Sequence, residues 1–216
     1  MIFNIKRIAA FLAVGVLSIT AFEGSDYDSI HAGENISSNS EDIPVSTENI
    51  SHPSEEVIPE KMNIGTFKTK DINGNEYTEK LFSDYDLTMV NVFTTWCSPC
   101  VEELPYLQQL SEEMQNNKNS KVQVIGIVLD SAGKDGKTDE TVLDKAQTLQ
   151  SEVQITYPLL IPDSQNMNGR LKEVQSVPET FFVDSRGNIV GETYSGSHTL
   201  NEWREIINEE MKNLNV

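Results

Sequence analysis

The hydrophobic and polar positions of this chain follow strand and helix periods in turn from about residue 66 onward. Two nearly continuous apolar stretches, residues 88–95 and 122–129, predict strands buried on both faces. Between them, residues 98–116 place apolar side chains at helical spacing, although Pro105 lies inside this stretch and should kink the helix. The apolar positions are Val101, Leu104, Leu107, Leu110 and Met114. A strand, a helix and a second strand in this order predict a parallel pair joined by a crossover helix.

Antiparallel hairpins are predicted on either side of this unit. Residues 66–78 turn at Asn73-Gly74, a strong short-range signal for a β-hairpin. Residues 177–184 and 189–194 are two extended stretches separated by a polar turn, and they predict a second antiparallel pair.

The remaining segments complete an α/β domain. Residues 141–153 and 200–214 predict amphipathic helices, residues 157–161 a short extended segment, and residues 166–174 a short helix. Residues 130–140 are polar and contain glycine, so they predict a loop. We therefore expect a mixed central β-sheet with helices on both faces.

The first 21 residues have the pattern of a targeting segment. Lys6 and Arg7 precede an apolar run over residues 8–22, which is shorter than the roughly 20 residues of a membrane span and typical of a signal peptide. The pattern leaves open whether residues 1–21 are cleaved as a signal peptide or stay as a membrane anchor. Phe22 stands where a lipoprotein signal requires cysteine, so we expect export or tethering without lipidation.

Charge separates a linker from the domain that follows it. Residues 22–60 carry ten acidic residues and no lysine or arginine, and they predict a disordered linker. Residues 61–216 carry 24 acidic against 14 basic residues, a formal charge of −10, and form one domain large enough for a hydrophobic core. This charge argues against a nucleic-acid partner, because phosphates require clustered lysine and arginine.

The only two cysteines of the chain, Cys97 and Cys100, follow the first buried strand and begin the first long helix. A helix N-terminus favours negative charge, so it lowers the pKa of a thiol and creates a reactive thiolate. We assign Cys97 the role of nucleophile and Cys100 that of the resolving cysteine. A structural disulfide closing so small a loop would gain little, and a zinc site would need two further ligands.

Residues 93–100, which contain Trp96-Cys97-Ser98-Pro99-Cys100, and residues 177–184 resemble the thioredoxin fold. Together with the N-terminal hairpin and Glu103-Leu104-Pro105, they resemble more narrowly the TlpA/ResA-like branch of extracytoplasmic thiol–disulfide oxidoreductases. The resemblance covers about residues 61–214. It implies a thioredoxin fold with an N-terminal β-hairpin and a central insertion within residues 130–163.

Four further site residues follow from this resemblance. Pro178 matches the family's cis-proline, which would turn the backbone of Val177 towards a substrate peptide. Glu103 matches a buried acid near the active site, which could exchange a proton with Cys100. Trp96 is expected to shield the cysteine pair and to line the surface that contacts substrate.

The resemblance implies a protein disulfide reductase that needs no metal or organic cofactor. Its electrons would come from a membrane thiol-electron transporter, and its clients would be apocytochrome c, a methionine sulfoxide reductase or another envelope protein. We expect it to act as a monomer, outside the cytoplasmic membrane.

Three alternatives remain open from the sequence. A disulfide-forming oxidase would use the same chemistry at a different redox potential. A thiol peroxidase is suggested by Thr94, which lies three residues before Cys97. A non-catalytic chaperone that docks thiol clients would not need the cysteines at all.

Overall fold

The computed structural model describes residues 62–133 and 137–214. The expected targeting segment, the acidic linker and the boundary at residue 60 lie outside the described residues. Within the part of the chain that is described, no helix is long and apolar enough to cross a membrane.

Seven strands and three α-helices lie within residues 62–133 and 137–214. In chain order they are β1 (Lys68–Lys70), β2 (Glu76–Thr78), β3 (Leu87–Phe93), α1 (Ser98–Asn116), β4 (Val122–Val128), α2 (Glu140–Val153), β5 (Leu159–Leu160), β6 (Glu179–Asp184), β7 (Ile189–Ser195) and α3 (Leu200–Leu214). The main sheet has the order β5-β4-β3-β6-β7, and β1 pairs with β2 in a separate hairpin. Strands β3, β4 and β5 are parallel, whereas β6 is antiparallel to β3 and β7 is antiparallel to β6.

Strand β3 lies at the centre of the sheet, and all seven of its residues are buried. Because side chains alternate along a strand, Met89 and Phe93 join the core beneath α1, while Val90 and Val92 join the core on the opposite face. The same alternation places the polar Asn91 on the α1 face, where it is 1% exposed. The continuous apolar run therefore gives a strand covered on both faces, as predicted.

The two hairpins are confirmed. Strands β1 and β2 pair antiparallel around Gly74, whose φ of +87° favours glycine. The Asp71 carboxylate accepts hydrogen bonds from the backbone N–H groups of Asn73 and Asn75, at 2.9 and 2.8 Å, which stabilises this turn.

Helix α1 spans residues 98–116 as predicted and continues through Pro105. Its buried side chains include Leu104, Leu107 and Leu110. Residues 130–163 contain α2 and the edge strand β5, which adds to the sheet parallel to β4.

The prediction of a short helix over residues 166–174 is wrong for the first half of that segment. Asn166, Met167 and Asn168 adopt left-handed backbone conformations, and only Arg170–Glu173 form a single 3₁₀ turn. The Asp163 carboxylate accepts the N–H groups of Gln165 and Met167 at 2.7 and 2.6 Å, so a local side-chain cap replaces helical hydrogen bonding.

Candidate active site

The cysteine pair lies where β3 gives way to α1. Cys97 is the N-cap residue of α1, with extended backbone angles, and its Sγ accepts a hydrogen bond from the Cys100 N–H at 3.3 Å. The two cysteines form a disulfide, with their Cα atoms 5.3 Å apart. A sulfur at an N-cap faces the unpaired N–H groups of the first turn, which is the environment that stabilises a thiolate.

The two cysteines are both buried, and Cys97 is slightly the more exposed. Cys97 is 6% exposed, whereas Cys100 is 1% exposed. Trp96, immediately before the pair, is 72% exposed and presents a large aromatic surface beside Cys97. A partner arriving from solvent would therefore meet Trp96 and Cys97 before Cys100.

The loop before β6 brings Val177 and Pro178 to the same place. The Val177–Pro178 peptide bond is cis, as the resemblance implies. The carbonyl oxygen of Val177 lies 3.6 Å from Cys97 Sγ. Pro178 is buried, and its carbonyl accepts the N–H of Gly196 at 2.9 Å. The structure thus places Val177 directly against the assigned nucleophile.

Glu103 is buried one helical turn beyond Cys100, at 1% exposure. Its Oε1 accepts the indole N–H of Trp203 at 2.9 Å and the backbone N–H of His198 at 2.7 Å. Its Oε2 accepts the amide N–H of Asn91 at 3.2 Å. Each carboxylate oxygen is therefore held in place by donors from other elements.

Burial raises the pKa of Glu103 above its ordinary value, because the charged carboxylate loses water. The hydrogen bonds from His198, Trp203 and Asn91 lower this pKa and offset only part of the effect of burial. A carboxyl group with a raised pKa can hold a proton nearer neutral pH, which is the property required of a proton donor or acceptor.

Three partners of Glu103 were not predicted from the sequence. Asn91 offered a signal, because it is a lone polar residue inside an apolar strand. No comparable signal marks Trp203 or His198 in the sequence. In the structure the His198 ring lies against the Trp203 ring, with centroids 4.6 Å apart, because the β7–α3 connection folds back over α1.

The two threonines that precede Trp96 differ in their hydrogen bonding. Thr94 Oγ1 is buried and has no hydrogen-bond partner among the described residues. Thr95 donates from both its N–H and its hydroxyl to the Asp130 carboxylate, on a loop that sequence patterning did not connect with the site.

No group of three or more His, Cys, Asp or Glu residues that could hold a metal ion occurs within residues 62–133 and 137–214.

Comparison with known proteins shows which family this chain matches. The model of the AhpC/TSA family matches residues 62–191. The thiol–disulfide oxidoreductase ResA of Oceanobacillus iheyensis is 29% identical over 124 residues, which cover 56% of this chain and 55% of that protein. The thiol:disulfide interchange protein DsbE of Haemophilus influenzae is 28% identical over 131 residues, 61% of this chain and 62% of that protein. The chain thus matches a little over half the length of these curated relatives.

A solved structure confirms the fold. The crystal structure of a thiol:disulfide interchange protein of the thioredoxin family from Chlorobium tepidum TLS superposes with a TM-score of 0.55 at 18% identity. The superposition covers 69% of this chain and 96% of that one. The predicted thioredoxin fold, with its mixed sheet and N-terminal hairpin, is therefore confirmed.

Proposed function

The chain belongs to the AhpC/TSA family, and we propose that it is an extracytoplasmic thiol–disulfide oxidoreductase that reduces protein disulfides through Cys97 and Cys100. The observation that carries this proposal is the disulfide at the N-terminus of α1, with Cys97 at the N-cap. Similarity to proteins named ResA and DsbE supports it.

Cys97 acts as the nucleophile in the reduced protein. Its thiolate is stabilised by the Cys100 N–H and by the helix N-terminus. It attacks one sulfur of a client disulfide, forms a mixed disulfide, and releases the other client sulfur as a thiolate that takes up a proton.

Cys100 then completes the exchange. Its thiol loses a proton and attacks Cys97 Sγ, which re-forms the Cys97–Cys100 disulfide and releases the second client thiol. Two electrons have passed from the protein to the client. Because the chain has no third cysteine, an external thiol reductant must reduce Cys97–Cys100 for the next cycle.

Glu103 is the proposed proton partner of Cys100. It lies one turn along α1 from Cys100, is buried, and has a raised pKa because of that burial. A protein interior excludes bulk water, so a proton leaving or reaching a buried thiol requires such a group nearby.

Trp96 and Val177 form the proposed client surface. Trp96 supplies exposed aromatic area, and the backbone of Val177 lies next to Cys97 where an extended client segment could pair with it. This arrangement would bring a client disulfide to Cys97 through main-chain contacts, so it tolerates different client sequences.

The proposed partners follow from the resemblance to the TlpA/ResA-like branch. Electrons would enter from a membrane thiol-electron transporter and leave to an apocytochrome c, a methionine sulfoxide reductase or another envelope protein. The protein would work as a monomer outside the cytoplasmic membrane, exported or tethered by its N-terminal segment and not lipidated.

Two measurements test this function. The purified protein should catalyse the reduction of insulin disulfides by dithiothreitol, and the Cys97→Ser variant should not. Equilibration with glutathione then gives the direction: a reductase should have a potential nearer about −270 mV than about −120 mV, the value of a strong oxidase. A redox potential near about −120 mV would instead indicate a disulfide-forming oxidase.

A thiol peroxidase is the second candidate, because the Thr94 hydroxyl is buried and unpaired among the described residues, three positions before Cys97. Such a hydroxyl could donate to a peroxide oxygen. Rapid consumption of hydrogen peroxide by the reduced protein, lost in Thr94→Val, would support this candidate. Slow consumption equal to that of a simple dithiol would exclude it.

A further inference from the structure

Asp130 lies in a single 3₁₀ turn, Leu129–Ser131, that directly follows β4 and is close to the segment leading to the cysteines. Strands β3 and β4 are parallel, and Phe93 is opposite Val128 in their register. Thr95 and Asp130 therefore each lie two residues beyond the same pair, so the end of β4 reaches the segment that precedes Cys97.

The Asp130 carboxylate makes three contacts with Thr95. Its Oδ1 and Oδ2 accept the Thr95 N–H at 3.2 and 3.1 Å, and Oδ2 accepts the Thr95 hydroxyl at 2.8 Å. Both residues are half-buried. Hydrogen bonds to a charged acceptor are stronger than those between neutral groups, so Asp130 fixes the backbone two residues before Cys97.

We propose that Asp130 is a positioning residue for the redox pair, which acts through Thr95 and favours the dithiol form. This inference rests on the proposed function only in that the pair must cycle between disulfide and dithiol. Asp130 takes no part in the bond exchange itself.

The dithiol form gains more from this anchor than the disulfide form does. In the oxidised protein the covalent bond to Cys100 already holds Cys97 at the helix N-terminus. In the reduced protein that bond is gone, and the position of Cys97 at the N-cap depends on the preceding loop. Without the anchor, Cys97 leaves the N-cap more often, and its contact with the Cys100 N–H is lost.

The test is the equilibrium between the protein and glutathione. The protein dithiol and one oxidised glutathione give the protein disulfide and two reduced glutathione molecules, so two electrons and two protons move together. Asp130→Ala and Thr95→Val should each shift this equilibrium towards the protein disulfide by roughly threefold or more. Measurement in about 0.5 M salt, where the Debye length is roughly 4 Å, suppresses the separate effect of the lost charge.

A double-mutant cycle shows whether Asp130 acts through Thr95. The Asp130→Ala, Thr95→Val double variant should shift the equilibrium no further than Asp130→Ala alone. Thr95→Ser keeps the hydroxyl, so this variant should have the same glutathione equilibrium as the unaltered protein. Asp84→Ala removes an exposed carboxylate elsewhere and should leave the equilibrium unchanged.

Unchanged equilibria in both single variants, or effects that multiply in the double variant, would overturn the proposal. If Asp130→Ala does not fold cooperatively, Asp130→Asn and Thr95→Val decide the question in its place. Glutathione exchange needs no client, so failure to reduce insulin would refute the proposed function while this equilibrium still tests Asp130.

Discussion

At the residue scale, Glu103 is a buried carboxyl group held by three hydrogen-bond donors. Donors from β3, from α3 and from the connection that precedes α3 converge on its two carboxylate oxygens. Its pKa is nevertheless raised, because burial outweighs these hydrogen bonds.

This raised pKa predicts how Glu103 affects stability. The folded protein binds the Glu103 proton more tightly than the unfolded chain does, so the resulting stability is fully present below the ordinary pKa of 4.5. It is lost as pH rises through the raised pKa of the folded state. Compared with Glu103→Gln, the unaltered protein should therefore lose unfolding free energy as pH rises above 4.5, as measured by urea denaturation at several pH values.

Glu102→Gln is the matched control, because Glu102 is the exposed neighbour on the same helix. The difference in unfolding free energy between Glu102→Gln and the unaltered protein should not change in this way as pH rises. A difference between the unaltered protein and Glu103→Gln that stays constant from pH 4 to 8 would contradict the raised pKa.

Trp96 gives a second prediction at the same scale. Because its side chain is 72% exposed, Trp96→Ala should leave thermal stability nearly unchanged. It should lower kcat/KM for a protein disulfide by about tenfold, since aromatic residues dominate protein contacts, while the reaction with glutathione changes little. Tyr106→Ala, on α1 and 43% exposed, is the control and should affect neither reaction. Equal losses towards both substrates would show that Trp96 does not contact clients.

The residues around Glu103 also show where sequence patterning reaches its limit. Spacing and motif placed Cys97, Cys100 and Glu103 on one helix, because all three lie within one local element. The contacts of Trp203 and His198 with Glu103 join residues about 100 positions apart, and they depend on how α3 docks. No local periodicity encodes that docking.

At the scale of elements, α3 links the site to the edge of the sheet. Trp203 on α3 donates to Glu103, while Glu210 further along α3 accepts the N–H of Glu192 and the hydroxyl of Tyr194 on β7. Gly191 on β7 leaves room for the Glu210 carboxylate, because a Cβ there would overlap Glu210 Oε2.

Gly191→Ala should therefore be strongly destabilising. The new methyl would displace a buried carboxylate from two hydrogen bonds, and the φ of +64° disfavours a side chain. We expect a loss of about 2–4 kcal/mol in the free energy of unfolding by urea denaturation. Gly196→Ala has a similar φ of +88° with open space around it, so it should lose only about 1 kcal/mol. Equal losses of unfolding free energy in the two variants would show that the Glu210 side chain moves aside without destabilising the fold.

Element boundaries were predictable where one period dominated. The bounds of α1 and α3 match the prediction, because each has a continuous apolar stripe and a clear start. The helix prediction was wrong for residues 166–169 because the Asp163 side chain accepts the backbone N–H groups that a helix would use. A short segment also gains little stability from helical hydrogen bonding.

At the scale of the whole molecule, one cysteine pair must carry every electron that the protein exchanges. The 216 residues contain no third cysteine, so Cys97 and Cys100 resolve each other and depend on an external reductant. The fold brings Val177, Trp96 and Cys97 to one surface, whereas Cys100 and Glu103 stay beneath it. We therefore propose that Cys97 alone attacks the client.

The trapping of a mixed disulfide tests that assignment most directly. Reduced Cys100→Ser protein is incubated with insulin, quenched with acid, and analysed by mass spectrometry alongside Cys97→Ser. We predict a covalent adduct at Cys97 that persists in Cys100→Ser and disappears on addition of dithiothreitol. An adduct that forms only at Cys100 in Cys97→Ser, or no adduct in either variant, would contradict the account.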